Sequence, residues 1–307
     1  MVLRASVSSW LNQRVQLKDK LREAIDRLTA AEVGSPRLNA ETLMMFTLGV
    51  DRAYLYAHPE RELNEDELAR YDEAIAQRAE GVPAQYITGH QEFWRLDLIV
   101  SPAVLIPRPE TEHLIETVLE LVREMEPPDL VRGARAPGPI STLKIVDVGT
   151  GSGAIALALA SEFPTADIEA CDISGAALEV ARANAARLQL ERVRFRESDV
   201  LGAYPASASF DFVVSNPPYV GENEADKVQA IVKKYEPRCA VFAGPEGLDM
   251  IRRLAPQARE RLKNGGWLLM EIGFSISEAV RGIVGDWREV RVVPDLQGIP
   301  RVVAARK

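Results

Sequence analysis

The sequence predicts an α/β fold with a seven-stranded, mostly parallel sheet, preceded by a small helical bundle and a β-hairpin. Apolar residues recur at helical spacing over about residues 16–80, and the period shortens after Pro83. Beyond residue 142, short apolar runs alternate with helical stretches, which is typical of a parallel sheet covered on both faces. We therefore predict a helical domain at 1–81, a hairpin and connecting helix at 82–126, a flexible linker at 127–141 and an α/β domain at 142–307.

The N-terminal domain is predicted to be a helical bundle. Its first helix carries apolar residues on one face, namely Leu17, Leu21, Ile25 and Leu28. Asn64 and Glu67 have the spacing of a capping box, and they begin a later helix that ends at Gly81. The first fourteen residues hold two arginines, several serines and no acid, a faint feature of organelle transit peptides. We interpret them as an ordinary N-terminus.

A β-hairpin is expected after Pro83, where the apolar period becomes that of strands. Its strands would be Gln85–Thr88 and Phe93–Val100, joined around Gly89. A helix should then run from His113 to Glu126. Proline, glycine and arginine dominate residues 127–141, so this linker is expected to be flexible.

The α/β domain contains seven short runs that are predicted to form the strands of one sheet. These runs are Leu143–Val148, Asp167–Cys171, Val193–Glu197, Phe210–Ser215, Trp267–Ile272, Glu289–Val293 and Arg301–Ala305. Helices are predicted between them, notably Gly153–Glu162, Gly175–Leu188 and Leu248–Leu262. The carboxyl edge of such a sheet is where ligands bind.

Composition excludes several classes of protein. At 307 residues with 47% hydrophobic content, the chain is long enough to bury a full core. No apolar run approaches the roughly 20 residues that a membrane span needs, and the net charge of −8 argues against a binder of nucleic-acid backbones. The two cysteines, Cys171 and Cys239, and three scattered histidines show no metal-ligand spacing. We expect a cytoplasmic protein with reduced thiols and no metal site.

A glycine-rich loop, Asp147–Ala154, lies between the first strand of the sheet and the next helix. Glycines allow a close approach of the backbone to a ligand, and the helix N-terminus offers free N–H groups. Asp172 ends the second strand, where its carboxylate could accept both ribose hydroxyls or could instead cap the next helix. An adenine edge, or a plain turn, is expected after the third strand. These features predict a nucleoside-containing cofactor that contacts Gly149, Thr150, Gly151, Ser152, Gly153, Asp172, Asp199 and Val200.

A second feature, Ser215–Tyr219, follows a buried strand. Two prolines end the strand and hold Asn216 in an extended conformation. The Asn216 side-chain oxygen and the Pro217 carbonyl can each accept one hydrogen of an –NH2 group, while Tyr219 stacks on the flat group that carries it. The alternative is a strand that ends in an ordinary proline turn.

The glycine loop alone fits two cofactors. Gly149 and Gly151, with Ala154 three residues later and an acid about 20 residues further on, satisfy the dinucleotide fingerprint, so NAD and S-adenosylmethionine both remain open. Hydride transfer needs a proton donor such as His, Lys or Tyr near the nicotinamide. The amide-holding feature at Asn216 instead favours methyl transfer to nitrogen, and therefore S-adenosylmethionine.

These residues resemble the class I S-adenosylmethionine-dependent methyltransferases, which have a Rossmann-like sheet. More narrowly, they resemble the release factor N5-glutamine methyltransferases of the HemK/PrmC family. The resemblance rests on several motifs between Gly81 and the C-terminus: Gly81–Gly89, Glu92–Trp94, Leu105–Glu112, Asp147–Ala154, Asn216–Tyr219 and Pro294–Gly298. One departure is Val200, which stands where many relatives carry an aromatic residue.

The resemblance implies methylation of the side-chain amide nitrogen (N5) of the glutamine in the Gly-Gly-Gln loop of class 1 peptide chain release factors, with S-adenosyl-L-homocysteine as the second product. Asn216, Pro217 and Tyr219 would be catalytic, and Asn216, Pro217, Pro218 and Tyr219 would contact the substrate. Asn216 would also border the cofactor. No direct contact with nucleic acid or membrane is expected.

Three other functions remain open from the sequence. A related enzyme could methylate glutamine in a ribosomal protein, an adenine-N6 methyltransferase could act on nucleic acid, and a methyltransferase-like scaffold could bind a partner without turnover. Arg108, Glu110 and Glu112 would belong either to the mouth that binds the partner or to the start of the helix that follows.

Overall fold

The computed structural model describes residues 15–125 and 143–307. The predicted linker at 127–141 and the first fourteen residues lie outside this range. The chain divides into two compact units, Met1–Thr88 and Gly89–Lys307. Within the described residues, no helix is long and apolar enough to cross a membrane.

The first unit is helical, as predicted. Its described helices are α1 (Leu17–Ala30), α2 (Pro36–Leu48), α3 (Arg52–Ala57), α4 (Glu65–Ala79) and α5 (Ala84–Thr88). The capping box is confirmed, because the Glu67 N–H donates to Asn64 Oδ1 at 2.9 Å and the Asn64 N–H donates to Glu67 Oε2 at 3.0 Å. The core of this unit includes Leu17, Leu28, Leu43, Met44, Tyr71 and Ile75, all fully buried.

The predicted first strand of the hairpin is wrong, because Gln85–Thr88 lies in helix α5. The Pro83 carbonyl accepts the N–H groups of Tyr86 and Ile87 and so starts a helical turn. The hairpin lies further along the chain, with strands β1 (His90–Phe93) and β2 (Leu96–Ile99).

The turn of this hairpin consists of Trp94 and Arg95 rather than a glycine pair. Both residues have positive φ, at 50° and 60°, which is uncommon for side chains of this size. Contacts with later helices hold the turn, since the Trp94 N–H donates to Glu112 Oε1 and its indole Nε1 donates to Glu162 Oε1, each at 2.8 Å. The sequence does not reveal this turn, because it depends on those distant partners.

The seven predicted strands are confirmed and form one sheet. They are β3 (Lys144–Val148), β4 (Asp167–Asp172), β5 (Arg194–Glu197), β6 (Phe210–Ser215), β7 (Leu262–Glu271), β8 (Glu289–Pro294) and β9 (Pro300–Arg306). Their order is β5-β4-β3-β6-β7-β9-β8, in which β9 runs antiparallel to the other six strands. The strand order changes direction between β3 and β6, where an open α/β sheet leaves a crevice for a ligand.

Helices cover both faces of this sheet. The described helices of this unit are α6 (Glu112–Met125), α7 (Ala154–Glu162), α8 (Gly175–Arg187), α9 (Ala230–Tyr235), α10 (Arg238–Val241), α11 (Asp249–Arg261) and α12 (Ser277–Ile283). One face packs against α6, α7 and the hairpin, and the other packs against α11 and α12. Successive residues of β6 pack into different cores: Phe212 and Val214 pack into the first, and Val213 packs into the second.

The register of the parallel strands places the predicted site residues side by side. Val148 pairs with Cys171 on β4 and with Ser215 on β6. Residues at or just after the ends of these strands, among them Gly149, Asp172 and Asn216, therefore meet at one edge of the sheet.

Candidate active site

A cavity of about 350 Å³ opens at the carboxyl edge of the sheet. Its floor is the glycine loop, and its walls come from the ends of β4, β5 and β6, from 103–111 and from 237–253. Nine of the predicted site residues line it, namely Gly149, Thr150, Gly151, Ser152, Asp172, Asp199, Val200, Asn216 and Pro218. Gly153, Pro217 and Tyr219 lie close by in the chain but are not among the lining residues.

The glycine loop turns through backbone conformations that favour glycine. Gly149 and Gly151 have φ of 73° and 56°, in the left-handed region. Gly153 also permits close packing, since a Cβ atom there would lie 3.1 Å from Leu157 Cδ1 and 3.3 Å from Ala181 Cβ. The loop therefore presents bare backbone to the cavity while α7 and α8 pack closely behind it.

Asp147 holds the glycine loop against α7 from below. Its Oδ2 accepts the Thr150 hydroxyl at 2.6 Å and the Ala156 N–H at 3.2 Å. Its Oδ1 is buried and has no hydrogen-bond partner among the described residues. Burial raises the pKa of this carboxyl to about 7, against the opposing effect of the two hydrogen bonds.

Asp172 connects the glycine loop to the segment between β4 and α8, and it does not cap α8. Its Oδ2 accepts the Gly151 N–H and its Oδ1 accepts the Ser174 N–H, both at 2.9 Å. The N-cap of α8 is Ser174, whose hydroxyl oxygen accepts the Ala177 N–H. Each carboxylate oxygen has a further lone pair, so Asp172 can still accept hydrogen bonds from a ligand in the cavity.

The wall after β5 is formed by Asp199 and Val200. The Asp199 carboxylate is exposed and pairs with the Arg253 guanidinium at 2.5 Å. Val200 is buried and has a positive φ of 53°, which for a β-branched residue costs on the order of 1–3 kcal/mol. Its carbonyl accepts the Cys171 thiol at 3.3 Å, which helps to hold this strained backbone.

Asn216 lies at the opposite wall, in the extended segment before the two prolines. Its side-chain Nδ2 donates to the Thr111 hydroxyl oxygen at 3.0 Å. Its Oδ1 makes no hydrogen bond to the described residues and is available to a donor in the cavity. Pro217 is buried, and half-buried Pro218 reaches the cavity lining.

Tyr219 packs beneath this segment. Its hydroxyl donates to Glu271 Oε1 at 3.3 Å, and its ring lies against Gly273, where a Cβ atom would come within 3.0 Å of Tyr219 Cδ2. Burial raises the pKa of the Tyr219 hydroxyl, so it remains a donor. Close packing also fixes its backbone, since a Cβ atom at Gly247 would lie 2.2 Å from the Tyr219 carbonyl oxygen.

Thr111 and Glu271 are two polar residues at the site that the sequence reasoning did not single out. Both are buried. Thr111 lies inside the Leu105–Glu112 motif, between the charged residues Glu110 and Glu112. Glu271 is a carboxylate at the end of the apolar strand β7, and that placement is a signal that could have identified it.

Arg108 and Glu112 hold neighbouring segments to the core. Arg108 forms an ion pair with Glu236, whose other carboxylate oxygen accepts the Ile106 N–H at 3.3 Å. Glu236 precedes α10, which contributes Cys239 and Ala240 to the cavity wall. Glu112 accepts the Trp94 N–H. Glu110 is exposed.

Two family models match parts of this chain. Residues 19–89 match the PrmC N-terminal domain, and residues 137–237 match the methyltransferase small domain. A release factor glutamine methyltransferase of Koribacter versatilis is 59% identical over 95% of this chain and 98% of its own length. One of Moorella thermoacetica is 42% identical over 94% of this chain and 98% of its own length.

Solved structures support the fold at lower identity. The hMettl16 catalytic domain, in a complex with MAT2A 3'UTR hairpin 1, superposes with a TM-score of 0.53 at 15% identity, covering 83% of this chain and 90% of that one. The sheet order and this likeness confirm the class I methyltransferase fold. Because it is 59% and 42% identical to these two relatives over nearly their full length, the chain belongs to the release factor glutamine methyltransferase family.

Proposed function

We propose that this protein transfers the methyl group of S-adenosylmethionine to the side-chain amide nitrogen of glutamine in the Gly-Gly-Gln motif of class 1 peptide chain release factors. The observation that carries the proposal is a pair of acceptors on consecutive residues, of which the first, Asn216, lines the cavity. Asn216 Oδ1 makes no hydrogen bond to the described residues, and the carbonyl of Pro217 is followed by a second proline that has no N–H. Two acceptors suit the two hydrogens of a primary amide.

The cavity residues fit the cofactor. The backbone of Gly149 and Gly151 borders the cavity without side chains, and Asp172 offers two carboxylate oxygens that can accept ribose hydroxyls. Asp199 and Val200 lie where the adenine edge is expected. When bound, S-adenosylmethionine supplies an electrophilic methyl group on a sulfonium. No His, Lys or Tyr is among the described residues that line the cavity, which favours this cofactor over a nicotinamide.

The chain's own contribution to the reaction would be positioning. An amide nitrogen is a weak nucleophile because its lone pair is delocalised into the carbonyl. Asn216 and Pro217 would hold both amide hydrogens and so direct the nitrogen toward the methyl group at near-attack distance. Their oxygen lone pairs also favour the positive charge that develops on nitrogen. The product amide loses its proton readily, so no strong base at the site is required.

The relatives' names support the choice of acceptor, since each names a release factor glutamine methyltransferase. The hMettl16 structure holds an RNA hairpin, but at 15% identity that likeness concerns the fold alone. Two of the alternatives from the sequence differ from this proposal in the acceptor, which would be a ribosomal protein or a nucleic acid. These acceptors can be compared with a release factor in one experiment.

The proposal is tested with purified protein, isotopically labelled S-adenosylmethionine and three acceptors offered separately: a class 1 release factor, ribosomal proteins and adenine-containing nucleic acid. We expect label on the release factor alone, located by fragmentation mass spectrometry on the glutamine of its Gly-Gly-Gln motif. A release factor with alanine in place of that glutamine is the matched control and should remain unlabelled. Label on either other acceptor, with an unlabelled release factor, would contradict the proposal.

A further inference from the structure

Three separate segments bring polar side chains together behind Asn216. In the β6–β7 register Ser215 pairs with Met270, so Asn216 and Glu271 follow side by side at the ends of neighbouring strands. Thr111 comes from the helical turn before α6. Thr111 and Glu271 are only 4% and 3% exposed, so both are shielded from water.

Two hydrogen bonds join these residues in pairs. Asn216 Nδ2 donates to the Thr111 hydroxyl oxygen, and the Tyr219 hydroxyl donates to Glu271 Oε1. Glu271 Oε2 is buried and lacks a close donor among the described residues. The Thr111 hydroxyl lies close enough to the Glu271 carboxyl to lower its pKa, so it stands between that carboxyl and the Asn216 amide.

Elementary chemistry decides which of these groups donates a hydrogen bond and which accepts one. An ionised carboxylate can only accept hydrogen bonds, and Glu271 Oε2 is buried without a donor among the described residues, so it would attract the single hydroxyl proton of Thr111. The Thr111 oxygen then presents its lone pairs to Asn216 and can receive only the NH2 end of that amide. The Asn216 oxygen is left for the cavity. In the opposite orientation, the Asn216 NH2 group would face the hydrogens of a substrate amide.

We propose that Thr111 and Glu271 are positioning residues, which fix the end of the Asn216 carboxamide that faces the substrate. The inference rests on the proposed function, because only an amide acceptor requires the oxygen to face inward. It assigns no contact with substrate to either residue. Thr111 acts on Asn216 directly, and Glu271 acts through Thr111.

A buried, ionised Glu271 lowers the stability of the fold. The dependence of stability on pH is therefore a readout that does not involve methyl transfer. Burial raises the pKa of Glu271, and the neighbouring hydroxyls of Thr111 and Tyr219 only partly oppose this. The other charged groups that face it are Glu110, which also raises its pKa, and Arg301, which lowers it. Because the folded pKa lies above the unfolded value, ionised Glu271 reduces stability as pH rises through that interval.

The central test is Thr111→Val, which keeps the shape of the side chain and removes its hydroxyl. We expect kcat for methyl transfer to a release factor to fall about tenfold or more, with unchanged affinity for S-adenosylmethionine by calorimetry. Thr111→Ser should restore most of the activity. Thr117→Val is the matched control, because Thr117 is equally buried but its hydroxyl donates to the His113 carbonyl within α6.

Glu271→Gln supplies the second test, since a glutamine can donate as well as accept and no longer fixes the Thr111 proton. We expect lower kcat without a lower melting temperature, because the cost of the buried charge is removed. In the wild type, kcat should fall with decreasing pH as Glu271 becomes protonated, and the variant should lack this acidic limb.

The outcomes separate the two proposals. A wild-type protein that methylates no release factor overturns the proposed function and this inference with it. If the wild type methylates a release factor and the Thr111→Val protein does so with a normal kcat, this inference is overturned and the proposed function is not. The inference is also overturned by a loss of activity that Thr111→Ser fails to restore, or by a Glu271→Gln protein whose melting temperature and kcat fall together while the acidic limb persists.

Discussion

Replacing Asn216 with alanine removes one of the two acceptors proposed to hold the substrate amide. The structure limits what else changes. Among the described residues the Asn216 side chain makes a single hydrogen bond, to Thr111, and the Pro217 carbonyl stays in place because it belongs to the backbone. The two prolines that follow still hold the segment extended, so the cavity should keep its shape.

The expected magnitude follows from that geometry. One of two acceptors is lost at the nitrogen where positive charge develops, which is comparable to removing one donor from an oxyanion hole. Such a loss costs about 2.7–4 kcal/mol in the barrier, or about 10²–10³ in kcat. The lost hydrogen bond to Thr111 should lower the free energy of unfolding by only about 1 kcal/mol.

The assay is single-turnover transfer of labelled methyl to a release factor, with cofactor affinity measured separately by calorimetry. We expect the Asn216→Ala protein to bind S-adenosylmethionine nearly as well as the wild type while its transfer rate falls by the factor above. Asn264→Ala, at an exposed asparagine on β7, is the control. A transfer rate within a few-fold of the wild type would refute the reasoning that Asn216 holds the amide.

Three further predictions concern a residue that lines the cavity, Asp172, and two that hold its surroundings in place, Glu236 and Asp147. Asp172→Ala should weaken affinity for S-adenosylmethionine by about tenfold or more, since each hydrogen bond to a charged group contributes about 1.5–3 kcal/mol; unchanged affinity in calorimetry would mean that the carboxylate only joins the loops. Glu236→Ala leaves the Arg108 guanidinium and the Ile106 N–H without their carboxylate, and should lower the free energy of unfolding by about 1–3 kcal/mol; an unchanged denaturant midpoint would show that the ion pair is dispensable. Asp147 takes up a proton on folding, because its pKa rises from 3.8 to about 7, so its contribution to stability falls as pH rises across that interval. Asp147→Asn should flatten the dependence of unfolding free energy on pH between about 4 and 7, and an unaltered slope would contradict the assigned pKa.

Much of the fold could be predicted because it depends on local patterns. Short apolar runs between helical stretches specify a buried parallel sheet, and all seven strands lie where those runs were found. The glycine loop and Asn216 could be placed at one edge because strand ends in a parallel sheet face the same way. The motifs were informative because prolines and glycines constrain the backbone by themselves.

What could not be predicted depends on distant partners. The turn at Trp94 and Arg95 has positive φ without glycine, and it is held by hydrogen bonds from Trp94 to α6 and α7. Val200 likewise has a strained backbone that no local signal announces. The position of Glu271 beside Asn216, more than fifty residues away in sequence, depends on the β6–β7 register.

The central claim is that Asn216 and Pro217 hold a glutamine amide for methylation. The most direct measurement is a crystal structure of the protein with S-adenosyl-L-homocysteine and a peptide that contains Gly-Gly-Gln. We predict that the glutamine amide nitrogen lies within hydrogen-bonding distance of both Asn216 Oδ1 and the Pro217 carbonyl oxygen. A peptide glutamine bound elsewhere, or Asn216 with its NH2 group toward the peptide amide, would contradict the account.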